Sequence, residues 1–137
     1  MRIVLDTNVL LICLLKTSKY RPIFEALIRG KYGLVITNEI LLEYAEIIES
    51  KTNSDIAKNV IDTLLNLVNV KKIDTYFRWN LIIDDPDDNK FIDCAIAGNV
   101  TFVVTNDKHF NALKNIEFPK VNVISASQFL LELEKGI

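Results

Sequence analysis

Two hydrophobic rhythms alternate along the chain. Unbroken apolar runs stand at Ile3-Val4-Leu5, at Gly33-Leu34-Val35-Ile36-Thr37 and at Thr101-Phe102-Val103-Val104-Thr105. Such runs fit strands covered on both faces, as in a parallel sheet. Val70-Lys71-Lys72-Ile73 and Val121-Asn122-Val123-Ile124 are weaker versions. Between them the apolar residues fall at helical spacing. Residues 9–15 read as a buried helix, broken by Thr17-Ser18-Lys19. Pro22 suits a first helical turn, Ile23, Phe24, Leu27 and Ile28 form its stripe, and Gly30 ends it. Asn38 is placed to cap a helix whose face is Ile40, Leu41, Tyr44, Ile47 and Ile48. Asn53-Ser54 opens another with Ile56, Val60, Ile61, Leu64, Leu65 and Val68. Phe91, Ile92, Ala95 and Ile96 make a stripe that Gly98-Asn99 stops, and Ser125 and Gln128 have capping-box spacing before Phe129, Leu130 and Leu133. Residues 74–81 show neither rhythm and are expected to be a loop or short helix, and residues 108–115 a short helix or turn.

Strands alternating with helices predict an α/β fold with a parallel sheet. No linker, repeat or low-complexity tract interrupts it, so residues 1–137 are expected to form one domain. Half of the residues are hydrophobic, enough for a real core. No apolar run reaches the roughly 18 residues of a membrane span, and the start of the chain lacks the layout of a signal peptide. Cys13 and Cys94 lie within apolar helical stretches, as buried thiols of a cytoplasmic protein would. A net charge of −2 argues against a basic nucleic-acid coat. It leaves room for an enzyme whose metal ions bring positive charge to a phosphate.

The polar residues that end the apolar runs carry the chemistry. Asp6 follows the first strand, and Asp107 follows the strand ending at Thr105. In open α/β sheets ligands bind beyond the carboxyl ends of the strands. The helix after the second strand holds Glu39, Glu43, Glu46 and Glu49. Glu43 lies roughly 100° from the centre of the apolar arc and the others roughly 140–160°, so Glu43 alone flanks the core. Asp84-Asp85-Pro86-Asp87-Asp88 is an acidic loop leading into the helix of Phe91. Converging carboxylates repel unless cations neutralise them, and hard oxygen ligands suit Mg²⁺ or Mn²⁺. Two such ions could hold a phosphodiester for in-line attack by water. That chemistry needs no serine, cysteine or histidine nucleophile.

Asp6-Thr7-Asn8, Glu43 in its helix, Asp85-Pro86-Asp87-Asp88-Asn89-Lys90-Phe91 with Ala95 and Gly98, and Thr105-Asn106-Asp107 resemble the ordered acidic motifs of PIN domains. The likeness runs from Arg2 to about Ile124 and is nearest to the toxin-like branch, similar to VapC toxins. It implies a three-layer α/β/α sandwich around a small parallel sheet of about five strands in the order 3-2-1-4-5. It also implies a Mg²⁺- or Mn²⁺-dependent endoribonuclease acting on single-stranded RNA, the toxin of a toxin–antitoxin pair, with a cognate antitoxin and a homodimeric state as expected partners. Asp6, Glu43, Asp88 and Asp107 match the family's four acids, as both catalytic residues and metal ligands. Asn8, Thr105 and Asn106 match its supporting polar positions. The third acid is open among Asp85, Asp87, Asp88 and Asp93; the spacing to Phe91, Ile92 and Ala95 favours Asp88. Asp93 is a candidate outer ligand.

Rival readings have residues of their own. A haloacid-dehalogenase-type phosphatase also puts an aspartate after its first strand, but needs a second where Asn8 stands. A receiver domain expects paired acids there. A PIN scaffold that binds RNA or protein without catalysis would be expected to have lost acids. The acidic loop fails as an EF-hand, with Asn89 where glycine is required and Ala95 in place of the closing glutamate. His109 is expected to pack or start a helix rather than to ligate. Tyr76, Phe77 and Trp79 beside Arg78 could stack on bases but fit a satellite core under a loop. Lys71, Lys72, Lys90, Lys108 and Lys114 could meet phosphates, but scattered surface charges are the expectation.

Overall fold

The computed structural model describes residues 1–136, so Ile137 of the expected 1–137 unit lies outside the described residues. The middle strand is β1 (Arg2–Leu5). It pairs in parallel with β2 (Gly33–Ile36), Ile3 opposite Leu34, and with β4 (Phe102–Val104), Val4 opposite Val103 and Leu5 opposite Val104. The outer strands are β3 (Val70–Lys72) beside β2 and β5 (Val123–Ile124) beside β4, both parallel. The sheet order is therefore β3-β2-β1-β4-β5, as the family resemblance implies. Successive side chains on a strand point to opposite faces. Ile3, Val4 and Leu5 are all at most 1% exposed, so helices cover both faces. Each such side chain contributes roughly 1.5–3 kcal/mol by leaving water.

The helices are α1 (Thr7–Leu14), α2 (Arg21–Ile28), α3 (Asn38–Lys51), α4 (Ser54–Asn66), α5 (Asn89–Ala97) and α6 (Ala126–Glu134). Several sequence expectations hold: Pro22 sits in the first turn of α2, Asn53 caps α4, and Ser125 and Gln128 form a capping box. Gly30 closes α2 at φ +73°, a left-handed conformation that favours glycine. Gly98 ends α5 for another reason: an added Cβ would stand 2.9 Å from Val35 Cγ1, so its lack of a side chain lets α5 approach β2.

Two expectations need correction. The first helix begins at Thr7, directly behind Asp6, rather than at Val9. Thr37, not Asn38, caps α3: its backbone is extended and its Oγ1 accepts the Ile40 N–H at 3.2 Å, while Asn38 is already helical. Residues 74–81 form neither helix nor strand, which is the loop of the two expected forms. The acidic loop tightens into a 3₁₀ turn, Pro86–Asp88, and a second 3₁₀ segment spans Lys108–Asn115. The buried Asn89 steadies the first of these: its amide donates to Ile82 O at 2.9 Å and its Oδ1 accepts from Ile82 N at 2.8 Å. Both thiols are free and buried.

One contact fixes α3 against the end of β1. The hydroxyl of Tyr44, wholly buried, donates to Leu5 O at 2.6 Å. The bond joins the residue after Glu43 to the residue before Asp6. Tyr44→Phe strands the Leu5 carbonyl and is expected to cost about 1–3 kcal/mol, read from urea unfolding. An unchanged midpoint would show that the tether contributes nothing.

Candidate metal centre

Thr105 is the pivot of the acidic edge. Asp6 is 6% exposed, and its N–H donates to Val104 O at 3.0 Å, so β4 holds its backbone. Although Asp6 precedes α1, its side chain makes no capping bond. Its Oδ2 instead accepts from Thr105 Oγ1 at 2.7 Å. That hydroxyl has one hydrogen, so it accepts its other bond, from Asp107 N at 3.0 Å. One threonine thus orients the acid of β1 and the backbone of the acid after β4. Asp107 Oδ1 in turn accepts from His109 N at 2.9 Å, with His109 Nδ1 3.1 Å away. Asp85 and Asp88 arrive from the 3₁₀ turn. Ligand atoms of Asp85, Asp88, Asp107 and His109 all lie within 4.8 Å of one another.

Two unit charges 4 Å apart repel by about 4 kcal/mol at the effective dielectric of a protein surface. A hydrogen bond to a charged group returns about 1.5–3 kcal/mol, so the cluster must take a proton or a cation. Without a cation, Asp88 takes the proton. Burial, then the facing Asp107 carboxylate and the charges of Asp85 and Asp6, push it up to about 8. Burial raises Asp107 too, but the His109 N–H, the proton on Asp88 and the imidazole outweigh it and hold Asp107 below the usual range. Asp6 is raised, chiefly by burial and further by Asp107 and Glu43, against the Thr105 bond. Asp88 Oδ2 is buried with no hydrogen-bond donor among the described residues. A donorless oxygen facing other carboxylates is suited to a cation, and the chemistry of the oxygen-rich set fits Mg²⁺ or Mn²⁺.

Glu43 lies at the margin of this cluster. As the angular argument anticipates, it is half-buried while Glu39, Glu46 and Glu49 are exposed. Thr7 donates its hydroxyl to Glu43 Oε2. Lys90 Nζ stands 2.6 Å from Oε1 and 3.0 Å from Asp87 Oδ1. Burial works against the Lys90 charge, but these two carboxylates more than offset it and raise its pKa.

The third-acid alternatives are now separated by geometry. Asp88 and Asp85 join the cluster, and Asp87 pairs with Lys90. Asp93 does not enter the cluster: its Oδ1 accepts the Trp79 N–H at 3.0 Å and anchors residues 74–81 to α5. Asn106 Oδ1 accepts from Ala126 N at 3.0 Å and fastens the start of α6. Asn8 is exposed in the first turn of α1. Lys90 is not the surface charge expected, since its side chain is 7% exposed. His109 does start the 3₁₀ segment, yet its ring joins the acids rather than a packed core. The aromatics are no satellite core either: Tyr76 and Phe77 are 93% and 62% exposed, with Trp79 against Phe77 and Phe118. Thr7 and Lys90 were missed as site residues. The one available signal for Lys90 was its i,i+3 spacing from Asp87.

A sequence profile described as PIN domain matches residues 2–109. The chain belongs to the PIN domain family. Membership separates this PIN domain from the haloacid-dehalogenase phosphatases. A solved structure, VapBC2 from Rickettsia felis bound to a DNA fragment from their promoter, shares its fold with a TM-score of 0.64. Identity is 19%, over 91% of this chain and 98% of that one. No curated protein sequence matches. Among the described residues no helix is long and apolar enough to cross a membrane.

Two outcomes test the geometry of this PIN domain. Asp88 carries a folded-state pKa of about 8, above the roughly 3.9 of an unfolded aspartate. The folded state then holds a proton that the unfolded state releases. Metal-free stability should fall as pH rises between those values and level off above them. Thermal melts should show this slope diminished in Asp88→Asn; an unaltered slope would reject the assignment. In Asp93→Ala, hydrogen exchange at the Trp79 amide should quicken, while Mn²⁺ affinity escapes the roughly 10–100-fold loss expected for an outer ligand. A loss of that size would return Asp93 to the metal site.

Proposed function

We propose that this PIN domain is a metal-dependent endoribonuclease that hydrolyses single-stranded RNA, as the toxin of a toxin–antitoxin pair. The carrying observation is the convergence of Asp85, Asp88, Asp107 and His109, within reach of the charge of Asp6, with a buried Asp88 oxygen that lacks a donor among the described residues. Asp6, Asp88 and Asp107 are the residues to hold Mg²⁺ or Mn²⁺, and Glu43 completes the catalytic set of acids. A divalent ion there would activate water and neutralise charge on the phosphodiester.

The chain's own residues prepare the centre. Thr105 keeps one Asp6 oxygen occupied and so aims the carboxylate. Thr7 and Lys90 hold Glu43. Asp88 must give up its proton to ligate, so uptake of the ion is favoured as pH rises toward 8. His109 and Asp85 flank the acids, where they can adjust the charge of the site. The VapBC2 neighbour supports an antitoxin partner. The homodimer and the cytoplasmic setting belong to the same reading.

The purified chain should cleave single-stranded RNA with Mn²⁺ or Mg²⁺ and stop when EDTA is added. Asp6→Asn should lower the rate by more than the roughly 10–100-fold that an outer-sphere partner costs. Cleavage that survives both chelation and mutation would sink the metal mechanism. A metal-loaded, folded chain that cleaves no RNA would favour a scaffold that binds RNA or protein without catalysis.

A further inference from the structure

The acids of the site divide into two groups by how their charge is met. Among the described residues, the basic group that pairs with Asp88, Asp107 and Asp85 is His109, and one Asp88 oxygen has no donor. Around Glu43 both carboxylate oxygens are engaged: Oε2 by the Thr7 hydroxyl, Oε1 by Lys90 Nζ at 2.6 Å. An ammonium has three hydrogens to donate. Among the described residues the acceptors facing Lys90 Nζ are also three: Glu43 Oε1, Asp87 Oδ1 at 3.0 Å and the Asp87 carbonyl at 3.1 Å. The side chain is 7% exposed, and Nζ lies 5.4 Å from the centroid of the Phe91 ring. This is a built position for a positive charge, not a surface lysine that happens to meet an acid.

We propose that Lys90 takes the place of a second metal ion, so that the centre binds one divalent cation, through Asp6, Asp88 and Asp107, and Glu43 serves as the seat of the lysine. The inference rests on the metal-dependent reading above and departs from the two-ion arrangement expected from the acids alone. A divalent ion at Glu43 would have to displace an ammonium from a short, largely desolvated pair, and the displaced charge would stay beside it. A monovalent cation suits the Glu43 side because only one fully engaged carboxylate and the peripheral Asp87 face it. The Asp87 carboxylate is 77% exposed. Exposed ion pairs contribute only about 0–1 kcal/mol, so Asp87 is the acceptor that a phosphate oxygen can replace at little cost. Lys90 is thus a positioning residue for Glu43 in the free protein and a contact for substrate phosphate when RNA is present.

The test counts ions on the full chain without RNA. Mn²⁺ binding is followed by electron paramagnetic resonance and calorimetry in the unmodified chain, in Lys90→Arg and in Lys90→Met, which keeps the apolar stem but frees Glu43. One ion per chain is expected in the first two and two in Lys90→Met, with folding checked by circular dichroism. Two ions in the unmodified chain, or a single ion in folded Lys90→Met, would overturn the inference and leave the metal-dependent reading standing. No ion in the unmodified chain would overturn both. Glu43→Gln keeps the proposal decidable if Lys90→Met does not fold. Its Mn²⁺ affinity should stay within about threefold, whereas a loss in the roughly 10–100-fold range typical of disturbed metal sites would make Glu43 a ligand and reject the role given to Lys90.

Discussion

Carboxylates that repel one another are held together at the carboxyl edge of the sheet, and the local structure around them follows from that constraint. The arrangement of β1 beside β4 brings Asp6 and Asp107 to neighbouring strand ends. Thr105 keeps them in a fixed relation through a single hydroxyl. With an alanine there, Asp6 would lose its donor and the Asp107 amide its acceptor. The energy of one such bond is modest beside the repulsion it opposes. Its contribution is geometric: it determines where the charges sit, while protons and cations determine whether they can remain there.

The surrounding elements divide that second task. Asp88 carries a proton at neutral pH in the absence of a cation, Asp107 is held ionised by the amide and ring of His109, and Glu43 faces Lys90. Each neutraliser arrives on a different segment: the Pro86–Asp88 turn, the 3₁₀ segment after β4, and the first turn of α5. The buried Asn89 amide, bonded to both polar groups of Ile82, holds the acidic turn in place where no ladder of backbone bonds is available.

What was legible in the sequence was what periodicity controls. Ile3-Val4-Leu5 and Phe102-Val103-Val104 could hardly be anything but covered strands, so the placement of Asp6 and Asp107 at the carboxyl edge of the sheet followed directly. Glu43 was separable from Glu39, Glu46 and Glu49 because a helix converts sequence offset into angle. The helix caps were less certain. Thr37 and Asn38 are both good caps, and only the extended backbone of Thr37 decides between them. The fate of Asp93 was hidden for a related reason: its partner is a backbone N–H of residues 74–81, a segment with no rhythm to locate it. Lys90 and His109 were illegible as site residues because a lysine or histidine near acids in sequence is usually solvated. The approach of α3 to α5 buries Lys90 against Glu43, and the 3₁₀ segment brings the half-exposed His109 ring against the acids.

The division between fold and charge also limits what a metal ion can do here. In a small zinc domain the ion supplies much of the folding energy. In this chain the core is complete without one: the three central strands, the inner faces of the helices and Tyr44 are buried by contacts that involve no ligand. A bound ion would stabilise this fold only by its linkage to the native state, which grows as the logarithm of its concentration over its dissociation constant. At neutral pH part of that gain is offset by the proton Asp88 must release. An ion bound there would therefore change the state of the site more than the stability of the sheet that carries it.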